Sequence, residues 1–321
     1  MNSTTILPLN PKETSKMEAS WISRLITALV RYKYLYLLLV PGILYIIIFC
    51  YGPMIGLVIS FQDFKITKGV FGSKFVGFDN FTYLLKSPQF LAAFRNTCII
   101  SLYKIIFSFP TPILLALLIN EIRINIFKRS VQTIIYLPHF LSWVIMYGLI
   151  FNLLKDFGPI NQLVRAFGGD TIFFLSDVRY FRGVVVLSDI WKEMGWNSII
   201  YLAALAGVPL ELYESAKMDG ANRVNIIFGI SLPYILPTII IMFLLRIGNV
   251  LNVGFEQIIS LYNPSVYSVG DIIDTYVFRV GFIQTEFGVS AAAGMFKSVI
   301  ACIMVVFMNN MMRKYEQESL F

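Results

Sequence analysis

Long apolar stretches are the feature that most limits how this chain can fold. A helix that crosses a bilayer needs roughly 20 mostly apolar residues, and six stretches meet that requirement. They are Leu35–Ser60, Thr97–Ile119, Val131–Leu154, Val184–Leu205, Tyr234–Val253 and Gly288–Asn309. Only 14% of the 321 residues are charged, against about 25% in an ordinary soluble domain. The sequence therefore predicts an all-α, polytopic membrane protein with six transmembrane helices.

Basic residues indicate which side of the membrane each segment faces. The net charge of +7 would suggest a nucleic-acid partner in a soluble protein, but in a membrane protein excess Lys and Arg mark cytoplasmic segments. Basic pairs stand at the ends of three predicted spans: Arg31/Lys33, Lys128/Arg129 and Arg313/Lys314. We therefore expect both termini in the cytoplasm and no nucleic-acid partner. Because no long apolar run precedes Leu35, we also expect the first span to be retained rather than cleaved as a signal peptide.

The polar N-terminal tail, residues 1–34, is predicted to be a separate cytoplasmic segment. Its apolar residues recur at helical spacing around Trp21 and Leu25, with basic residues on the other faces. This pattern is typical of an amphipathic helix on the inner membrane surface; a plain extension of the first span is the alternative. Residues 35–321 form the predicted six-span domain, with a core at about 93–310.

The sequence contains no motif for catalysis or for cofactor binding. It has no Gly-Lys pair, so it cannot form the phosphate-binding loop that depends on one. The single histidine, His139, has no partner at metal-ligand spacing and is interpreted as a structural or interfacial residue. Cys50, Cys98 and Cys302 lie far apart and are predicted to be buried free thiols. We therefore expect a chain that is not an enzyme and that binds no metal and no cofactor itself.

One predicted cytoplasmic loop differs from the others. In the connection between spans four and five, Pro209 can start a short helix and Gly220 can end it. The helix would have only two or three turns, too short to cross a membrane. Its small residues allow another surface to approach closely, and Glu214 and Asp219 offer acceptors to a partner. The pattern predicts an interfacial helix that faces the cytoplasm.

This loop resembles the cytoplasmic motif of permease subunits of binding-protein-dependent ABC importers. The matching residues are Glu214-Ser215-Ala216, Asp219-Gly220-Ala221 and, eight residues later, Ile230, Leu232 and Pro233. Ser215 departs from the usual alanine but is still small. The resemblance implies the type I ABC importer permease fold. It also implies that Glu214, Ser215, Ala216, Asp219, Gly220 and Ala221 form the coupling helix that docks on an ATPase subunit.

Further segments resemble the sugar permeases that handle oligo- and polysaccharide fragments, the multiple-sugar and lipoprotein-type subgroup. They include 115–121, 132–143 and 191–197. The resemblance implies half of a translocation pathway that works by alternating access in a bacterial cytoplasmic membrane. The implied partners are a second permease, which in this family is usually a different chain, two cytoplasmic ATPase subunits that bind ATP and Mg, and an extracellular substrate-binding protein. The rival interpretation is an ion-coupled secondary transporter that acts alone and has no need of a coupling helix.

Polar and aromatic residues inside the spans form a second candidate site. A charge deep in a span costs roughly 2.5–3.5 kcal/mol on insertion scales, so it usually faces a cavity or a partner. In span four, Asp189, Glu193, Trp196/Asn197 and Ile200 share one helix face by their spacing of three or four residues. The candidate pathway residues are Lys104, Trp143, Asp189, Lys192, Glu193, Trp196, Asn197, Arg246, Asn249 and Lys297.

These charges support two interpretations. A carboxylate, an amide and an aromatic ring suit a sugar, but the same residues can form ion pairs that fix helix packing, for example Glu193 with Arg246. Inside the spans four cations stand against two anions, a formal balance of +2. In a low-dielectric cavity that excess favours an anionic solute such as a uronate-containing oligosaccharide. A neutral oligosaccharide stays open, because a partner permease can supply carboxylates.

Overall fold

The computed structural model describes residues 30–314, with side chains as far as residue 310. The predicted surface helix around Trp21 therefore lies outside the described residues. Contacts divide the chain into two compact units, the first ending at Leu57 and the second beginning at Val58.

The first predicted span is one long apolar helix of changing pitch. It contains α1, Lys33–Tyr45, a π-helical turn at Ile46–Tyr51 and a 3-10 segment, Gly52–Phe61, which continues into the second unit. Together these residues are long and apolar enough to cross a membrane. The π turn ends just before Gly52-Pro53, where proline cannot donate a helical hydrogen bond. The bounds agree with the predicted Leu35–Ser60 to within two residues.

The described residues of the second unit are mostly helical, which confirms the all-α prediction. A short antiparallel pair joins β1, Gln62–Asp63, to β2, Lys74–Phe75. In chain order the helices are α2 Gly69–Gly72, α3 Asp79–Lys86, α4 Pro88–Tyr103, α5 Pro110–Asn120, α6 Asn125–Tyr136, α7 Trp143–Leu154, α8 Pro159–Ala166, α9 Phe181–Ala206, α10 Leu210–Met218, α11 Arg223–Ile226, α12 Leu232–Gly248, α13 Phe255–Leu261, α14 Tyr267–Gly270, α15 Ile273–Phe278 and α16 Phe287–Lys314.

The described helices are compatible with six membrane crossings. Four are long and apolar enough by themselves, and two bent helix pairs bring the number to six. The predicted end of span five is wrong: the helix that begins at Arg223 stops at Gly248, not at Val253. The apolar run misled the prediction because Leu251 and Val253 are buried in a turn beyond the helix rather than in the helix.

Span three is broken, whereas the sequence predicted one continuous helix over Val131–Leu154. The axis bends by 107° between the segment 125–140 and the helices that follow it. Two local features cause the break. Leu137–Phe140 tightens into a 3-10 turn that contains Pro138, and the Ser142 hydroxyl then caps α7 by accepting a hydrogen bond from the Ile145 N–H.

In spans two and five a π-helical turn comes directly before a proline. In span two a π turn at Lys104–Ser108 joins α4 to α5 directly before Phe109-Pro110. In span five a π turn at Ile227–Ser231 joins α11 to α12 directly before Leu232-Pro233. Because proline has no N–H, the residue before it bonds five positions back instead of four, as Phe109 N does to Lys104 O at 3.0 Å.

Helix α9 runs through the centre of the second unit. Its first turns pack in one buried cluster, where Val185 lies with Ile258 and Ile272. Its last turns pack in another, where Tyr201 lies with Ala116 and Ile235. Between these two clusters the helix carries its charged residues, so packing at both ends fixes the position of a polar middle section.

The predicted burial of the cysteines is wrong. Cys50, Cys98 and Cys302 are free, as expected, but all three are exposed on the surface of this chain. An apolar span offers much of its surface to lipid or to another subunit, so an apolar neighbourhood in sequence does not imply burial within one chain.

Candidate functional site

A cavity of about 430 Å³ lies beside the polar middle of α9. The helices α5, α9 and α12, the π turn of span two and the segment 249–257 form its walls. Seven of the ten candidate pathway residues line it: Lys104, Trp143, Asp189, Glu193, Asn197, Arg246 and Asn249. Lys192, Trp196 and Lys297 do not line it. Sequence reasoning missed Asn252 and Gln257, which also line the cavity and lie beyond the end of span five.

The helix face predicted on α9 is present, with one correction. Asp189, Glu193 and Asn197 are four residues apart and all face the cavity. The next residue in that series is Tyr201, which lines the cavity, whereas the predicted Ile200 is exposed elsewhere. Because an α-helix has 3.6 residues per turn, this row of residues four apart winds slowly around the helix axis instead of following one straight face.

Lys104 lines the cavity wall but has no proton left for a solute. Its Nζ donates to Asp189 Oδ1 at 2.5 Å, to Gln257 Oε1 at 2.6 Å and to the carbonyl oxygen of Val253 at 2.7 Å. These three bonds use all three ammonium protons. The side chain therefore joins span two, span four and the turn after span five.

Lys192 closes the break in span three. Its Nζ donates to the carbonyl oxygens of His139 at 2.6 Å and Leu141 at 2.7 Å, with Pro138 O at 3.4 Å. Those carbonyl groups lie where the helix is interrupted, so they need a donor from outside the helix. The ammonium also lies 5.5 Å from the centre of the Trp143 ring, within range of a cation–π contact.

His139 contacts the carboxylate of Glu193, which the sequence did not predict. The His139 Nδ1 and Glu193 Oε2 atoms are 2.9 Å apart. The His139 ring stacks on Trp196 with its centre 4.5 Å away and the two planes within 1°. The suggested ion pair between Glu193 and Arg246 is not formed. His139 and Glu193 are 54 positions apart, and the break in span three lies beside His139. The sequence therefore carries no signal for the contact between these two residues.

Lys297 binds Asp274, which lies outside the cavity lining, and Asn252, which is part of that lining. Its Nζ is 2.6 Å from Asp274 Oδ1 and 2.6 Å from Asn252 Oδ1. Asp274 belongs to α15, beyond the predicted spans, so it was missing from the balance of +2. Along the cavity wall itself the formal charges cancel, because Lys104 and Arg246 stand against Asp189 and Glu193.

Arg246 is the cavity cation that keeps its charge available. Within the part of the chain that the structure describes, its guanidinium forms no ion pair. It lies on α12 one turn before Asn249, and both residues line the cavity.

The predicted interfacial helix is α10, Leu210–Met218, which follows Pro209 and makes an angle of 74° with α9. Gly220 ends it in the left-handed conformation, with φ at 79°. No residue of the helix is buried, and Met218 is 88% exposed. Tyr213 and Tyr234 hold its base through hydrogen bonds to Ser231 Oγ and Gly207 O.

This loop lies within the part of the chain that matches a known protein family. The family described as "Binding-protein-dependent transport system inner membrane component" matches residues 108–317, a range that contains α10 and most of the cavity wall. The chain belongs to this family. It is a permease subunit of an ABC importer, and this assignment is supported over an ion-coupled carrier acting alone.

Two relatives and two solved structures resemble this permease over most of its length. Protein LplB of Bacillus subtilis (strain 168) is 45% identical over 97% of each chain. The polygalacturonan/rhamnogalacturonan transport system permease protein YteP of the same organism is 44% identical over 93% of each. A bacterial ABC transporter that imports the acidic polysaccharide alginate matches with 42% identity and a TM-score of 0.84, covering 92% of this permease and 100% of that chain. The same kind of transporter, in complex with an alginate pentasaccharide-bound periplasmic protein, matches with 41% identity, a TM-score of 0.85 and the same coverage.

Proposed function

We propose that this permease forms half of the pathway of an ATP-driven importer for acidic oligosaccharides, with uronate-containing fragments as the substrate class. Arg246 carries the proposal, because it lines the cavity and has no carboxylate partner among the described residues. A guanidinium in such a position can bind a uronate carboxylate through two parallel charge-assisted hydrogen bonds.

Other residues of the cavity wall suit the rest of a sugar. The amides of Asn197 and Asn249 can donate to and accept from hydroxyl groups. The ring of Trp143 offers an apolar face to the CH groups of a pyranose. Lys104, by contrast, is saturated by its own partners, so we assign it to the wall rather than to substrate binding.

The relatives support the acidic class. YteP is named for polygalacturonan and rhamnogalacturonan, and the transporter of known structure imports the acidic polysaccharide alginate. Both are more than 40% identical to this permease.

The coupling residues Glu214, Ser215, Ala216, Asp219, Gly220 and Ala221 are proposed to dock on a cytoplasmic ATPase subunit. Exposure of α10 and its sharp angle to α9 support this role. ATP and Mg would then bind to the two ATPases, whose closure turns the cavity outward to receive sugar from the extracellular binding protein. A second permease would form the other half of the pathway. Both termini, with the tail 1–34, would lie in the cytoplasm.

Uptake by the complete importer in proteoliposomes tests the proposal. The two probes are a radiolabelled oligogalacturonate and its methyl ester, which has the same chain without the charge. We expect binding-protein-dependent, ATP-driven uptake of the acid. Arg246→Gln should lower that uptake roughly ten- to hundredfold relative to the ester, because a hydrogen bond to a charged group is worth roughly 1.5–3 kcal/mol.

Arg95→Gln is the matched control. Arg95 is exposed on α4 and does not line the cavity, so its loss removes one positive charge from the chain without changing the wall. It should leave the ratio of acid to ester unchanged. Uptake of the ester alone by the unmodified importer would refute the acidic substrate class. An unchanged ratio in Arg246→Gln would refute the role of Arg246.

A further inference from the structure

An acidic substrate in this cavity meets a carboxylate as well as a guanidinium. Glu193 lines the same wall as Arg246, and an exposed negative charge there would repel a uronate strongly, since a cavity screens charges less than water does. Lys104 and Asp189 compensate each other at 2.5 Å. The effective charge of the cavity therefore depends on how far Glu193 is compensated.

Both carboxylate oxygens of Glu193 have partners that are not among the residues lining the cavity. Oε2 is 2.9 Å from His139 Nδ1, and Oε1 is 3.9 Å from Lys192 Nζ. A carboxylate can only accept, so Nδ1 carries the hydrogen whether the imidazole is neutral or charged. Neither His139 nor Lys192 is part of the cavity lining, so neither occupies space that a sugar needs.

The position of His139 is fixed on both sides. Its ring is stacked on Trp196 at 4.5 Å and nearly parallel to it, which fixes the plane of the imidazole. Its carbonyl oxygen accepts from Lys192 Nζ at 2.6 Å, which fixes the backbone at the break in span three. The histidine thus approaches Glu193 in one orientation.

We propose that His139 is a specificity-determining residue that shields the carboxylate of Glu193 and so lets the pathway accept an anionic sugar. The inference rests on the proposed function, because shielding matters only if the solute carries negative charge. His139 acts through Glu193 and touches no substrate. Without it, Lys192 at 3.9 Å is the remaining compensating group, and it is already committed to backbone carbonyls.

The test uses the complete importer, the oligogalacturonate and its methyl ester. His139→Ala should lower the ratio of acid to ester uptake about fivefold, because Glu193 loses the partner at 2.9 Å and keeps only Lys192 at 3.9 Å. Glu193→Gln added to His139→Ala should restore the ratio, because the charge that needed shielding is gone. Since the same binding protein serves every variant, its own preference cancels when the ratios are compared.

The rescue separates shielding from a merely structural role. If His139→Ala lowers uptake of both probes equally, or if Glu193→Gln does not restore the ratio, the inference is overturned. Should the alanine variant fail to assemble, His139→Gln replaces it: the amide can still donate a hydrogen bond to Glu193 but lacks the ring that stacks on Trp196, and a smaller loss with the same rescue is expected. Failure of the unmodified importer to transport the acid would instead refute the proposed function, so the two failures are distinguishable.

Discussion

Gly195 is the position where the smallest substitution should disturb this permease most. It is buried on α9 against the backbone of α6. A Cβ atom built there would overlap the carbonyl oxygen of Ile135 and would lie 2.7 Å from both its carbonyl carbon and its Cγ2 atom. Because two of these atoms are backbone, a rotamer change cannot relieve the overlap, and the two helices must separate.

The expected cost follows from this contact. Overpacking a close-packed interface costs about 1–3 kcal/mol, whereas replacing a helical glycine by alanine returns about 0.5–1 kcal/mol of backbone entropy. Gly195→Ala should therefore reduce the free energy of unfolding by about 1–2 kcal/mol. Gly183 is a matched control on the same helix, since nothing lies within 4 Å of a Cβ built there. Gly183→Ala should be neutral or slightly stabilising.

Thermal denaturation of the assembled importer in lipid nanodiscs measures the difference. We expect the midpoint to fall by a few degrees for Gly195→Ala and to stay level or rise for Gly183→Ala. Uptake should fall as well in Gly195→Ala, because α9 carries Glu193 and the turn directly after α6 carries His139. Equal midpoints for the two variants would refute the claim that this glycine is required by close helix approach.

The coupling helix and the orientation can be checked in the same preparation. Gly220→Trp should leave membrane insertion intact but abolish ATP hydrolysis stimulated by the loaded binding protein. Gly220 has φ at 79°, which a tryptophan adopts only with strain, and the bulky side chain blocks docking. Normal stimulated hydrolysis would contradict the docking role. The orientation is tested after the exposed native cysteines are replaced. A cysteine at Lys217 should then react with an impermeant thiol reagent only in inside-out vesicles, and one at Ser73 only from outside. The reverse pattern would overturn the orientation.

Local sequence patterns were enough for two parts of the structure. The short helix α10 was predictable because Pro209 directly precedes its first residue and Gly220 comes two residues after its last. The cavity face of α9 was predictable because Asp189, Glu193 and Asn197 lie on one uninterrupted helix, where the spacing of residues fixes the direction of their side chains. In both cases the information lies within a few turns of one helix.

Contacts between distant segments were not predictable. His139 and Glu193 are 54 positions apart, and Lys297 and Asp274 are 23 apart. The first contact depends on the 107° break in span three. Pro138 indicates that the helix is interrupted there, but the angle of the bend depends on packing against α9. The count of charges inside the spans missed Asp274 because this partner lies in the segment after span five.

The buried lysines and the arginine of the spans serve different purposes, which explains why a count of cations does not give the charge of the pathway. Helix interruptions leave carbonyl groups without N–H partners, and in a membrane such groups need donors from the protein. Lys192 supplies them at the break in span three, and Lys104 supplies one at Val253, in the turn after span five. An ammonium with three protons suits this task. Arg246 lies in the last turn of α12 and forms no ion pair among the described residues, so its guanidinium remains available to a solute.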